Sequence, residues 1–369
     1  MQQHVEEERP RMKATDVLPP RTEMLRGCPV CGATVSRRRF TSPDFLHGVS
    51  GSYSYVTCLN CGSVHQNPRV VVDDLSCCYP LAYYTHAAPQ GDPAATLPER
   101  GSLRDMVRRA VLHRCDCASG SGISKPMKCL GALLALIPAV RRRARFGLID
   151  PLATSGRGGT RCLEVGPGQG QNLLRLKWIG WSPVGLDIDP VAADSAQRSS
   201  GCEVKVGTLR NADFYDASFD MIFMNHVLEH LHDLTESLRR CHDLLLPGGR
   251  IVLVYPNPGS LGGRANREYS PIWDPPRHLV LPTCESIAGL LRRLGFEQVE
   301  ASTSAKCAGT YRAVARQYRR GFRGIGFVAG GCTIGDLLFA FCESLLVTAG
   351  LDVGEEIVVV ARRAEEGTI

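Results

Sequence analysis

Three sets of residues have the types and spacing that chemistry needs. In Arg161-Cys-Leu-Glu-Val-Gly-Pro-Gly-Gln-Gly170 a short apolar run carries an acid, Glu164, and leads into glycines at 166, 168 and 170. Glycines let a chain turn sharply and set bare N–H groups against a ligand at a helix start. Asp187 follows Glu164 by 23 residues and closes a second apolar run, placed to take both hydroxyls of a ribose. A dinucleotide fingerprint has no acid two residues ahead of its first glycine, whereas Glu164 stands there. A plain strand–turn–helix with structural glycines is the alternative.

The second set is Cys28-Pro-Val-Cys31-Gly and Cys58-Leu-Asn-Cys61-Gly, with 26 residues between the pairs. Each knuckle aims two thiolates at one point, and four thiolates satisfy tetrahedral Zn²⁺ with no open position, so the metal is expected to be structural. A redox dithiol is the rival, and it lacks a following βαβ unit.

Imidazoles and carboxylates form the third set. In Asn225-His-Val-Leu-Glu-His230, a helical reading puts His226, Glu229 and His230 on one face. That face could pack against the nucleoside, act as a general base or hold a divalent ion. Further on, the prolines of Trp273-Asp-Pro-Pro-Arg-His278 predict a rigid, extended turn that presents Arg277 and His278 to a crevice. Tyr269, Trp273 and Arg277 are candidates to cover an acceptor, rings stacking on a sugar and the guanidinium pairing with an anion. Alternatively, Arg277 and His278 only tie the loop to the core.

Elements that would position these groups alternate as strand and helix from 161 onward, which predicts an α/β fold with helices on both faces of a parallel sheet. Strands are expected at 161–165, 182–186, 203–206, 221–224, 250–255, 298–301 and 356–361. In such sheets the crevice lies outside the C-terminal strand ends. The expected domains are a disordered tail at 1–25, a zinc ribbon at 26–70, and a linker and helical cap at 71–154. A catalytic domain at 155–362 then carries a helical insertion at 308–350, and 363–369 is a tail.

Hydrophobic content of 44% and charged content of 22% are those of an ordinary soluble globular protein. No apolar run opens the chain, so no signal peptide is expected. The 16 cysteines then argue for reduced thiols in a cytoplasm rather than disulfides. Between 104 and 161 stand twelve Lys/Arg against three Asp, a patch that could meet RNA, acidic lipid or acidic glycan, or could be a solvated helix face. Cys129 to Val140 is too short to cross a bilayer. In the apolar 324–350 stretch two acids, Asp336 and Glu343, favour a packed helix over membrane-surface contact.

The pattern E-x-G-x-G-x-G with the later Asp187 resembles motif I of the class I S-adenosylmethionine (SAM) methyltransferases. Leu245-Leu-Pro-Gly-Gly249 and Ser218-Phe-Asp220 are similar to that superfamily's turn before strand five and opening of strand four. With the four-cysteine module and the Gln66-Asn-Pro-Arg69 exit, the chain looks like a bacterial small-molecule or polysaccharide-type group. The resemblance implies a Rossmann-like seven-stranded sheet of order 3-2-1-4-5-7-6 and SAM as cofactor. Glu164, Gly166, Gly168 and Gly170 would hold its methionine side and Asp187 its ribose. Ile188, Thr208 and Leu209 would lie beside the adenine, and Asn225 and His226 below the methionine. The 226–230 cluster resembles an acid-x-x-Glu-His cluster that holds metal in some O-methyltransferases, with His226 in place of the acid. The expected reaction is methyl transfer to an O- or C-centre of a sugar or small metabolite. RNA methylation and a non-catalytic binding module are the alternatives.

Overall fold

A computed structural model describes residues 18–79, 102–114, 123–136, 160–324 and 331–365. Much of the basic 104–161 stretch, the linker at 86–100 and the outer parts of both tails lie outside the described residues.

Seven strands form the main sheet. β6 (Arg161–Val165), β7 (Ser182–Asp187), β8 (Val204–Val206), β9 (Phe219–Asn225) and β10 (Leu245–Pro256) run parallel, in the order β8-β7-β6-β9-β10. β13 (Glu356–Arg363) adds antiparallel to β10, and β12 (Phe296–Ser304) antiparallel to β13. Numbered within this sheet alone, the order is 3-2-1-4-5-7-6. The inner strands are near-continuous apolar runs, such as Met221–Met224 and Ile251–Val254, because both faces are covered.

One face is covered by α1 (Leu103–Arg114), α2 (Lys125–Leu134) and α3 (Gln171–Ile179). Val111, Leu112, Leu176 and Ile179 pack there on Cys162, Met221 and Val252. The described helices of the expected cap, α1 and α2, pack on this face of the sheet. α1 and α2 touch at Gly131, where a Cβ would stand 2.3 Å from the Ala110 carbonyl carbon. α4 (Pro190–Ser200) is started by the Asp189 side chain, which accepts the Val191 N–H at 2.7 Å, with proline in its first turn. α5 (Leu234–Leu244) and α7 (Cys284–Arg293) close the other face, α7 through a Thr283–Ser286 capping box.

The N-terminal module differs from a free-standing ribbon. β1 (Thr22–Glu23) pairs with β5 (Arg69–Val70), so residues at the end of the expected disordered tail are ordered. β2 (Ser36–Ser42), β3 (Tyr53–Cys58) and β4 (Val64–Gln66) form a meander whose fourth strand, β11 (Val280–Leu281), comes from beyond β10. Ser63 Oγ donates to Ser286 Oγ at 2.8 Å, and Arg293 donates to the Val30 carbonyl at 2.8 Å. Cys28, Val30 and Cys58 share one apolar cluster with Val165, Leu186 and Tyr255. The module is built into the larger unit.

After β10 comes the short α6 (Leu261–Asn266), and between β12 and β13 lie α8 (Ala308–Arg319) and α9 (Ile334–Thr348). The expected packed helix is only half packed. Its acids are buried and its apolar stripe is exposed.

Candidate active site at the strand ends

Gly166, Gly168 and Gly170 all take left-handed backbone, with φ of 65°, 55° and 76°, which L side chains adopt at a cost. Space forbids a side chain as well. A Cβ at Gly166 would meet Val227 Cγ2 at 2.5 Å, and one at Gly170 the Ala196 carbonyl at 2.6 Å. The turn is thus wedged between the segment after β9 and α4. Beneath it, Glu164 is buried, and its Oε1 accepts from Asn172 Nδ2 at 3.1 Å. Its Oε2 has no partner among the described residues, and burial pushes the carboxyl up to about 8. A cationic ligand group over the turn would satisfy that oxygen and bring the carboxylate back to its charged form.

Asp187 ends β7 half-buried, and its Oδ1 accepts the Asp189 N–H at 3.0 Å. Beside it Ile188 is 73% exposed, an apolar wall with nothing on it. Thr208 binds Asn211 Oδ1 through its hydroxyl at 3.0 Å. Leu209 was expected against the adenine but is buried in the core with Leu186 and Phe214, so its side chain is spent on packing. Asn225 is half-buried at the end of β9, next to the glycine turn. An acidic strand end, an orphaned buried carboxylate oxygen, a left-handed glycine turn and an exposed apolar side chain beside them fit a nucleoside-bearing cation such as SAM.

The expected single helical face at 226–230 does not form. His226 has φ 55° and gives its N–H to the Val254 carbonyl at 2.8 Å, leaving only a 3-10 turn at Leu228–His230. His226 instead lies between Glu229 Oε1 at 3.2 Å and Glu356 Oε1 at 3.1 Å. Burial alone would lower its pKa, but the two carboxylates overcome that and raise it to about 10. Held between two buried carboxylates, His226 favours its charged form and is less suited than His230 to act as a base.

His230 and His278 come together instead, ring centroids 4.8 Å apart and edge to face. His230 Nδ1 lies 3.0 Å from the Arg277 carbonyl and 3.1 Å from Tyr79 Oη, and His278 Nδ1 lies 2.8 Å from the Ile272 carbonyl. A carbonyl only accepts, so each Nδ1 carries the proton and each Nε2 the lone pair. Burial, then the His278 ring, lowers the His230 pKa to about 4, which keeps it neutral. Glu229, fully buried, has Oε2 without a partner among the described residues. One donor atom from each of Glu229, His230 and His278 lies within 4.8 Å of the others, a set that could hold a divalent ion with His278 where His226 was expected.

The expected acceptor wall is a structural brace. Arg277 is fully buried, bound to Asp44 Oδ1 at 2.8 Å and Asp274 Oδ1 at 2.6 Å, and also donates to the Cys78 carbonyl. With every donor direction engaged, it has none for an anionic acceptor. Trp273 is buried against Tyr55, Phe40 and the Arg39 guanidinium. Tyr55 Oη donates to the Trp273 carbonyl, and Gln66 Nε2 to the His278 carbonyl at 2.9 Å. Tyr269, half-buried, packs tilted against Phe45, 5.4 Å between centroids. The N-terminal module thus holds the turn that carries His278.

In that module Cys28 Sγ lies 3.7 Å from Cys61 Sγ, and Cys31 Sγ 3.6 Å from Cys58 Sγ. All four sulfurs lie within 4.8 Å of one another. Tetrahedral zinc with ligands at about 2.3 Å needs sulfurs about 3.8 Å apart, so the cluster fits that ion.

Residues 139–301, less than half of the chain, match the protein family described as a methyltransferase domain. A probable S-adenosylmethionine-dependent methyltransferase of Mycolicibacterium smegmatis is 30% identical over 100 residues, 27% of this chain and 39% of that protein. An O-methyltransferase of Penicillium expansum is 27% identical over 157 residues, 39% of this chain and 54% of its own length. The chain spans about half or less of these curated relatives. A solved SAM-dependent methyltransferase from Archaeoglobus fulgidus superposes at a TM-score of 0.40 with 20% identity, over 62% of this chain and 94% of that one. That overlay is too loose to add weight. The family match and the methyltransferase-named relatives support a SAM-dependent methyltransferase.

Proposed function

We propose that this protein transfers the methyl group of SAM to a hydroxyl oxygen, or to an activated carbon, of a sugar or other small metabolite, with His230 as the base. The observation that carries this reading is the fixed tautomer of a neutral His230, set one turn from the Val227 contact with the glycine loop. SAM supplies an electrophilic methyl group. Glu164 and the turn at 166–170 bind and orient it, and Asp187 takes the ribose hydroxyls. His230 Nε2 accepts the acceptor's proton, and the buried Glu229 carboxylate stabilises the imidazolium that results. Alignment of acceptor and methyl accounts for about 7–11 kcal/mol when it is good. The base adds ~10²–10⁴-fold.

The three-residue donor set favours a second reading, in which a divalent ion on Glu229, His230 and His278 acidifies the hydroxyl. Loss of turnover on chelation, restored by a divalent ion while the cysteine-bound metal stays in place, would select it.

Asp187→Ala is expected to weaken SAM binding at least ~10-fold, as loss of a hydrogen bond to a charged group of about 1.5–3 kcal/mol implies. Calorimetry measures this, and unchanged affinity would remove Asp187 from the ribose. Isotope-labelled SAM with fractionated extract shows whether label enters glycan, small metabolites or RNA. Label in RNA alone would refute the small-acceptor reading.

We also propose that the four cysteines hold one structural Zn²⁺. Metal analysis should find about one zinc per chain, lost in Cys58→Ser. Zinc-free folded protein would end the assignment.

A further inference from the structure

α9 is turned opposite to an ordinary surface helix. Ile334, Leu337, Leu338, Phe341 and Leu345 follow one helical stripe, and that stripe is 54–77% exposed. Asp336 and Glu343 point inward instead. Specific contacts fix this orientation. Asp336 closes a capping box with Thr333 and pairs with Arg316 and, at 3.7 Å, with Arg312. Opposite Gly309 of α8 the helices come close, and a Cβ there would lie 3.3 Å from the Asp336 carbonyl. Glu343 lies buried near Glu355, and burial raises the two carboxyls to about 8 and about 7.

The end of α8 that leads toward α9 is cationic, with Arg319 over the Tyr269 ring and Arg323 over Phe45. Arg319, Arg320 and Arg323 are exposed at the end of α8, with Phe322 63% exposed among them. Between 308 and 351 the chain has no acids except the two turned inward. From this segment a second copy would offer three exposed arginines one exposed carboxylate, Asp352 just past the helix, so a two-fold contact leaves most of the guanidiniums without a partner. An anionic bilayer supplies both partners, acyl chains for the stripe and phosphates for the guanidiniums. The 15-residue helix is about 22 Å long. No described helix is long and apolar enough to cross a membrane, so α9 would lie along the interface. We propose that α9 and the arginine-bearing end of α8 dock this protein on the surface of an anionic phospholipid bilayer.

The test is co-sedimentation of the full chain with vesicles of phosphatidylcholine alone and of phosphatidylcholine mixed with phosphatidylglycerol. Retention is expected on the anionic vesicles only, and it should fall with salt. Leu338→Gln with Phe341→Gln, and separately Arg320→Ala with Arg323→Ala, should each weaken retention about tenfold or more, since one basic residue at such a surface is worth roughly fivefold. All four side chains are exposed in the fold, so circular dichroism and SAM affinity should be unchanged in both variants. SAM calorimetry on the same samples separates this surface from the methyl-transfer reading. Absent retention, equal retention on neutral vesicles, or full retention by both variants would overturn the proposal. So would a solution dimer that the Leu338→Gln/Phe341→Gln variant dissociates, because the face would then belong to a second copy.

Discussion

Arg277→Ala is expected to cost about 3–5 kcal/mol of stability, because it strands buried carboxylates on either side of the missing guanidinium. Asp44 is fully buried, and the Asp274 side chain keeps only 14% of its surface exposed. The Arg277 guanidinium, outweighing burial, holds the Asp274 carboxyl down at about 2, so Asp274 carries its charge through the neutral range. Thermal or denaturant unfolding measures the loss. Arg277→Ala combined with Asp44→Asn and Asp274→Asn should recover part of it, since the uncompensated charge goes with the acids. An arginine that bound an anionic acceptor would behave otherwise, raising KM with stability intact. That result would return Arg277 to the acceptor wall.

His230→Ala is expected to lower kcat ~10²–10⁴-fold while SAM affinity stays close to that of the parent. The base touches the acceptor's proton and makes no contact needed to hold the cofactor. pH dependence adds a second measure. A base with its pKa lowered to about 4 stays unprotonated as pH falls through the ordinary histidine range. The acid limb of the kcat/KM profile should therefore lie well below pH 6, and it should vanish in His230→Ala with the residual rate. Full turnover in the variant would clear His230 of the reaction.

Much of the fold was legible because the relevant signals are local. Each inner strand is a short apolar run bounded by glycine, proline or an acid, and the expected strands overlap the observed ones along the whole sheet. The glycine turn and the paired cysteine knuckles are likewise written in consecutive residues. What escaped is long-range. Glu356, which holds His226 charged, lies 130 residues from it, and Asp44 lies 233 residues from Arg277. β11 has two residues, and nothing in Val280-Leu281 says that it pairs with His65 and Val64. The helical reading of 226–230 failed at one backbone position, where His226 turns left-handed to reach Val254. In α9 a packed helix was expected, and the helix packs only through the face that carries its acids. Asp336 and Glu343 are seven residues apart and so share a face, and that face turned out to be the inner one.

The shared sheet of β4 and β11 bears on synthesis. Val280 reaches the ribosome exit more than 200 residues after His65, roughly 10–40 s later at about 5–20 residues per second. Through that interval β4 shows a naked edge, a template for mispairing between nascent chains. If the proposed zinc loaded the cysteine cluster early, it would tie the growing meander into a defined shape while it waits.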